Sequence, residues 1–290
     1  MAQSEKQRKN AIASREIDAR EEVARYDMAF GIASIARPLK KGSVRTAFIK
    51  KQGWNGGVIC IRGITPDDHD LGVLLAFIVL AEQQRPERQQ GREVAELLLP
   101  TKQTNAAADM DVVTVAITYA AVRQILGLKS DSGTNNAAIW QSLCNHATIV
   151  IDAQADGKIA LTHLIRPSRG TANETLTVTL SYRLTRALLG EGSYGAVDMK
   201  AFRALPGGAT RILFVWFCSW FGGSHGNRRV GLNKLVEIVW GEPTTRMVVN
   251  DIKNRRRAVR KSLASIQYQS GHWRFDIGVN DNIIVKRIAA

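Results

Sequence analysis

The segment from Arg246 to Arg274 limits what this chain can fold into more than any other. It carries Arg246, Lys253, Arg255, Arg256, Arg257, Arg260, Lys261 and Arg274 against one acid, Asp251, so it supplies +7 of the formal +14 of 290 residues. Wound at about 100° per residue, Val248, Ile252, Val259, Leu263 and Ile266 fall on one narrow face. Lys253, Arg256, Arg257, Arg260 and Lys261 fall on the neighbouring face, joined by Arg246 if the helix begins that early. The spacing predicts a helix over 247–269 that packs by one stripe and turns a cationic stripe outward. A DNA major groove accepts such a helix.

A basic helical face is most often only solvated surface. Here almost no Glu or Asp is interleaved, so i,i+4 ion pairs cannot be the stripe's purpose. A sequence pI of about 10.0 points the same way, to a polyanionic partner, most simply nucleic acid. Residues 1–50 hold 11 Lys/Arg and 6 Asp/Glu, mixed along the segment, which reads as a flexible or loosely helical arm. No apolar run reaches the ~18–20 residues of a membrane span, and Met1–Asn10 lacks the apolar core of a signal peptide. Leu71–Ala81 and Ile212–Phe221 suit buried helices. Three scattered cysteines, Cys60, Cys144 and Cys218, fit reduced thiols in the cytoplasm.

Along the chain, Val58–Ile61 reads as a strand, Asp67–Gln83 as an apolar helix, Asp111–Ile117 as a strand and Tyr119–Leu126 as a helix stopped by Gly127. Ala137–Ala147 is a third helix, followed by Thr148–Asp152 and Ile159–Ile165 as a hairpin about Ala155-Asp-Gly157. Thr175–Tyr182 and Arg183–Leu189 read as a strand and a helix. The pattern then recurs: Ala209–Phe221, Leu232–Trp240 and the basic helix, with His272–Ile277 and Asn282–Ile288 as a second hairpin. Helix–helix–helix–hairpin is the winged-helix order. The expected fold class is α+β and mostly helical, with two tandem winged-helix domains. The expected division is a flexible basic arm over 1–45, a first domain over 46–190 and a second, the main DNA reader, over 191–290.

Signals for other chemistry fail. Gly190-Glu-Gly-Ser-Tyr-Gly195 matches G-x-G-x-x-G, but a helix precedes it where a dinucleotide site needs a strand, so it reads as a flexible connector. There is no phosphate-binding G-x-x-x-x-G-K-[ST]. The five histidines, His69, His146, His163, His225 and His272, lack metal-ligand spacing, and no nucleophile is announced. Neither catalysis, metal nor cofactor is expected. Phe214, Trp216, Phe217, Trp220 and Phe221 lie at helical spacing without intervening charge, which marks core rather than a base-stacking platform.

Several runs also resemble the RepC-type replication initiators of broad-host-range IncQ-type plasmids. They are Val197-Asp-Met-Lys-Ala-Phe-Arg-Ala-Leu205, Thr210-Arg-Ile-Leu-Phe-Val-Trp-Phe-Cys-Ser-Trp220, Leu235-Val-Glu-Ile-Val-Trp240 and Arg255-Arg-Arg-Ala-Val-Arg-Lys-Ser-Leu263. Weaker similarity reaches back through Ala120-Ala-Val-Arg-Gln-Ile-Leu-Gly127 to about Val58, so it covers roughly 58–288. The resemblance implies two winged-helix domains, binding to direct repeats (iterons) at a plasmid origin, and a plasmid-encoded helicase and primase as partners. It places a recognition helix on Arg255, Arg256, Arg257, Arg260 and Lys261. One departure is the apolar Met247-Val-Val249 between the turn Gly241–Arg246 and the basic cluster.

The resulting expectation is a non-enzymatic initiator of plasmid replication that binds double-stranded origin DNA. Arg246, Lys253, Asn254, Arg255, Arg256, Arg257, Arg260 and Lys261 would serve the major groove, and Lys286 and Arg287 the phosphates beside it. In the first repeat the third helix offers Gln141 and Asn145, able to read adenine edges but without cations to anchor them. That domain is expected to bind DNA weakly or not at all alone and to support a homodimer through its sheet. The competing readings are a winged-helix repressor or partition protein, and a DNA-processing enzyme, which would need a nucleophilic Tyr or a metal cluster.

Overall fold

The computed structural model describes residues 22–40, 42–54, 57–84, 101–105, 108–129, 132–155, 158–170, 175–190, 193–222, 224 and 226–288. In chain order these form β1 (Val23–Asp27), α1 (Met28–Ala33), β2 (Ala47–Trp54), β3 (Gly57–Ile64), α2 (Asp68–Gln83), β4 (Thr101–Asn105), β5 (Ala108–Val112) and β6 (Thr114–Thr118). Then come α3 (Tyr119–Leu126), α4 (Gly133–Ala147), β7 (Val150–Ala155), β8 (Lys158–His163), β9 (Ile165–Arg169), β10 (Thr175–Leu180), α5 (Tyr182–Leu189), β11 (Tyr194–Asp198) and α6 (Met199–Ala204). The last elements are α7 (Ala209–Phe221), β12 (Gly226–Gly231), α8 (Leu232–Trp240), α9 (Val249–Ser270), β13 (Trp273–Ile277) and β14 (Asn282–Arg287). The fold is α+β. It holds more strand than the sequence reading allowed, because β1, β2, β9, β11 and β12 carry glycine, charge or proline in place of a clean alternation.

The internal repeat is present, with a different hairpin in its first copy. The strand–helix–helix run β6–α3–α4 is followed by β9 and β10, and these strands assemble in the order β6-β10-β9. The run β12–α8–α9 is followed by β13 and β14, assembled as β12-β14-β13. In both units the last strand lies in the middle and all pairings are antiparallel. The expected hairpin of β7 and β8 exists, but β7 pairs with β3, in a separate sheet ordered β2-β3-β7-β8.

Local chemistry starts most of these helices. Asp67 caps α2 through a reciprocal box with Asp70, and Thr118, Ser132, Ser181 and Asp198 cap α3, α4, α5 and α6. Helices α8 and α9 begin at Gly231 and Val248 without a side-chain cap. Helix α7 is apolar nearly all round, as expected of its aromatic run. Phe214, Trp216, Phe217 and Phe221 are buried, and Trp216 stacks on Trp220 with centroids 4.7 Å apart.

Residues 22–40 correct the expected arm. Strand β1 pairs antiparallel with β11, Val23 opposite Asp198 and Asp27 opposite Tyr194. The charges that suggested solvation are paired: Asp27 with Arg183 at 3.0 Å, Arg25 with Glu82 at 3.6 Å, and Glu22 with Arg203. Ser34 Oγ and Arg37 Nη1 donate to the Ile238 carbonyl at 3.0 and 3.2 Å, closing the C-terminal end of α8. Gly241, with φ +74, follows that end; a Cβ there would collide with the Arg37 guanidinium. The segment thus joins the second unit to Glu82 of α2 and Arg183 of α5. Residues 1–21 lie outside the described residues.

Gly195 of the G-x-G-x-x-G match also has a packing reason. It sits in β11, not in a flexible connector, and a Cβ would stand 2.6 Å from Ser219 Cα of α7.

Candidate nucleic-acid interface

The basic helix is α9, and it begins at Val249 rather than Met247. Met247 and Val248 are extended after a 3-10 turn, Thr244–Arg246, so Arg246 is exposed in that turn and does not extend the helical stripe. Val259, Leu263 and Ile266 are buried as expected, and Ile252 is half-buried. Val248 leaves the apolar face: as the helix cap it is 68% exposed, and Val249 is 77% exposed. Full burial of such side chains is worth about 1.5–3 kcal/mol each, so the three buried residues hold α9 firmly. A buried hydrogen bond from Thr210 Oγ1 to Ser262 Oγ at 3.0 Å fixes its register on α7.

The cations divide into three groups. Arg255 turns inward, with Nη1 3.3 Å from Glu242 Oε2 and its guanidinium 5.4 Å from the centroid of Trp240. It ties the helix to the preceding turn and is less available than the exposed cations of α9. Arg256 and Arg260 point toward the β13–β14 turn. Arg256 Nε donates to Asn233 Oδ1 at 2.8 Å, and Arg260 Nη2 meets Asp281 Oδ1 at 2.6 Å. Lys253, Arg257 and Lys261, four residues apart, form an exposed ridge, with Asn254 exposed beside it. Among the described residues these three cations have no ion-pair partner.

The three-stranded sheet stands next to the helix. Its outer face carries Arg229 of β12, Arg274 and Asp276 of β13, and Lys286 of β14, with Arg274 directly opposite Lys286. Lys286, half-buried, pairs with the exposed Asp276 at 2.8 Å, and this contact holds the Asp276 carboxyl below its usual range. Such a pair is weak enough to exchange for phosphate. Arg287 is different: it donates to the Gly222 carbonyl and lies 5.5 Å from the Trp273 ring centroid. These contacts fasten β14 to the end of α7, so part of the Arg287 guanidinium expected to meet phosphate is engaged within the fold.

The first unit departs further from expectation. Asn145 of α4 is buried at 5% exposure, and its Nδ2 donates to Asp70 Oδ1 at 3.3 Å. It cannot reach a base edge. Gln141 is exposed, but its Nε2 donates to Asn145 Oδ1 at 3.1 Å. Asp70 also takes Arg45 at 2.5 Å, and its carbonyl lies 2.8 Å from His146 Nε2. Burial pushes His146 below the ordinary imidazole value, against the opposing pull of Asp70. These groups join the start of α2 to α4 and β2, a structural network. Among the described residues no three His, Cys, Asp or Glu come together as metal ligands, and no helix is long and apolar enough to cross a membrane.

Residues 56–283 match the family model for replication protein C (RepC). The chain belongs to the RepC family. No curated protein sequence matches it. Among solved structures, two crystal structures of domains 2 and 3 of RctB are similar in fold to this RepC-family chain. One, a selenomethionine derivative, is 10% identical with a TM-score of 0.52, covering 91% of this chain and 99% of that one. The other is 9% identical with a TM-score of 0.51, covering 90% and 97%.

Three residues of the RepC chain's basic surface escaped the sequence reading. Arg229 lies in Gly226–Gly231, a strand bounded by glycines with a single β-branched residue, which gives no strand signal. Asn233 and Asp281 matter by position: one opens α8, the other closes a turn, and only the fold brings both to α9. Asp281 lies between the two strands read as the second hairpin, a turn by position, but nothing local marks it as a partner of arginines.

Proposed function

We propose that this RepC-family protein initiates plasmid replication by binding iteron direct repeats in double-stranded origin DNA, without catalysing a reaction. The two units act as winged-helix domains within 46–190 and 191–290, the second being the main reader. One observation carries the reading: α9 presents Lys253, Arg257 and Lys261 as an acid-free ridge, beside a β-hairpin bearing Arg274 and Lys286. The helix enters the major groove, and the outer face of the hairpin sheet meets the flanking backbone. At the start of α9, the exposed Val248 and Val249 have no core to fill and suit the methyl groups of thymine. The uncapped first turn leaves N–H donors open to a phosphate.

Bound copies in array strain an adjacent AT-rich segment, where plasmid-encoded helicase and primase act. Family resemblance supports that step. Self-association through the first unit's sheet and a cytoplasmic location complete the proposal.

Gel shifts on duplex from beside the gene test the reading. Specific, steeply salt-dependent binding to tandem direct repeats is expected. A single palindrome as the preferred site would make the protein a repressor instead, and salt-independent or absent binding would overturn the proposal.

A further inference from the structure

Two of the arginines on α9 are held, and what holds them is an acid at the edge of a surface that should shun acids. Asp281 Oδ1 lies 2.6 Å from Arg260 Nη2, and Asp281 Oδ2 lies 3.7 Å from Arg256 Nη1. Asn233 Oδ1 takes Arg256 Nε from the other side at 2.8 Å. Asp281 is itself fixed. Its carbonyl accepts from Leu232 N at 2.8 Å, its own N–H donates to the Gly278 carbonyl at 3.2 Å, and it sits at φ 57. A non-glycine residue in that left-handed region costs free energy.

Stability alone gives little reason for this arrangement. Arg260, Arg256 and Asp281 have side chains 45%, 33% and 35% exposed, and ion pairs so open to water contribute little. Against DNA the carboxylate is a liability, since it repels the phosphates that the ridge attracts. A guanidinium fixed by an acceptor on one edge, however, keeps further N–H donors for a two-point contact with guanine O6 and N7. The fixing also removes rotamer entropy before binding. Lys253, Arg257 and Lys261, with no such support, suit phosphates, which demand charge and not orientation.

We infer that Asp281, helped by Asn233, is a positioning residue for specificity: it orients Arg260 and Arg256 to read guanine and holds them back from non-specific phosphate contact. The inference rests on the proposed groove binding by α9 and names what that groove reading recognises. It assigns opposite signs to two quantities that a merely structural role would move together.

The test uses the full chain, with binding selected from a pool of random-sequence duplexes and sequenced. Affinity for a fixed duplex lacking selected sites is measured in parallel. Wild type should show guanine preference at two or more positions. Asp281→Asn keeps the size and the tolerance for left-handed backbone but removes the charge. It should bind the non-selected duplex severalfold more tightly and lose about tenfold in discrimination at the positions read by Arg260 and Arg256. Arg260→Lys, which keeps charge without the fork, should lose the same guanine preference while the salt dependence stays as in wild type. Equal gain, or equal loss, for selected and non-selected duplex in Asp281→Asn overturns the inference. So does unchanged discrimination. If wild type itself selects no sequence and binds without salt dependence, the groove reading fails instead, and the two failures are thereby told apart.

Discussion

Helices α4 and α9 hold the same place in two units of one strand order, and they spend their polar residues in opposite ways. In α4, Asn145 and His146 point into the protein and bind Asp70, so the helix is locked to α2. In α9 only Ser262 bonds inward to α7, through Thr210, while the ridge of Lys253, Arg257 and Lys261 is exposed and has no ion-pair partner among the described residues. The equivalent frame therefore yields a structural helix in one unit and a candidate reader in the other. Position in the motif does not assign the role; what each face is already bonded to does.

The largest expected break between the two comes from removing the ridge. Lys253→Ala, Arg257→Ala and Lys261→Ala together should weaken origin binding on the order of 10²–10³-fold and lower the slope of log K against log salt by about 3. Gln141→Ala on α4 should leave affinity within about twofold, on the same gel-shift measure of small surface effects. Equal losses from both helices would erase the distinction.

Asparagine on the two helices gives the next contrast. Asn145→Ala leaves the Asp70 carboxylate short of a buried donor and should cost about 1–3 kcal/mol of stability in a urea melt. DNA affinity of the folded protein should not change. Asn254→Ala should alter stability by less than about 0.5 kcal/mol and act on DNA binding alone.

Acid sharpens the same division. The pKa of His146 is depressed in the folded state by burial, so the unfolded chain binds the proton more readily. The His146 contribution to stability is therefore complete above the ordinary imidazole value of about 6.5 and is lost as pH falls below it, at no more than about 1.4 kcal/mol per pH unit. His146→Gln should flatten that part of a stability-against-pH curve. Variants of the α9 ridge should keep it.

The smallest effect belongs to the hairpin. Lys286→Ala should weaken all duplexes severalfold without changing sequence preference. Arg287→Ala should instead lower the melting temperature, since it removes the tie to Gly222 and Trp273. If Lys286→Ala changed which bases are preferred, the hairpin would be reading sequence.

Much of this was legible because the signals were local. Tyr119–Leu126 and Leu232–Trp240 have the expected bounds, each ended by a glycine at positive φ. The buried stripe of Val259, Leu263 and Ile266 follows from helical periodicity. Two failures share one cause. Asn145 looked like a polar residue on a helix, and only the approach of Asp70 from α2 buries it. Residues 22–40 looked solvated because acids and bases alternate, yet their partners, Glu82, Arg183, Arg203 and Ile238, are remote in sequence.

The sequence by itself determined where charge accumulates, which face of α9 packs and which of the longer helices form, though not the short α1 and α6, because period, caps and composition act within a few residues. The tertiary structure decided which cations are free. Arg255, Arg256, Arg257, Arg260 and Lys261 are near neighbours on one helix. Only the folding of Glu242, Asn233 and Asp281 against that helix separates the held from the unheld, because an ion pair depends on distance in space and not on distance along the chain.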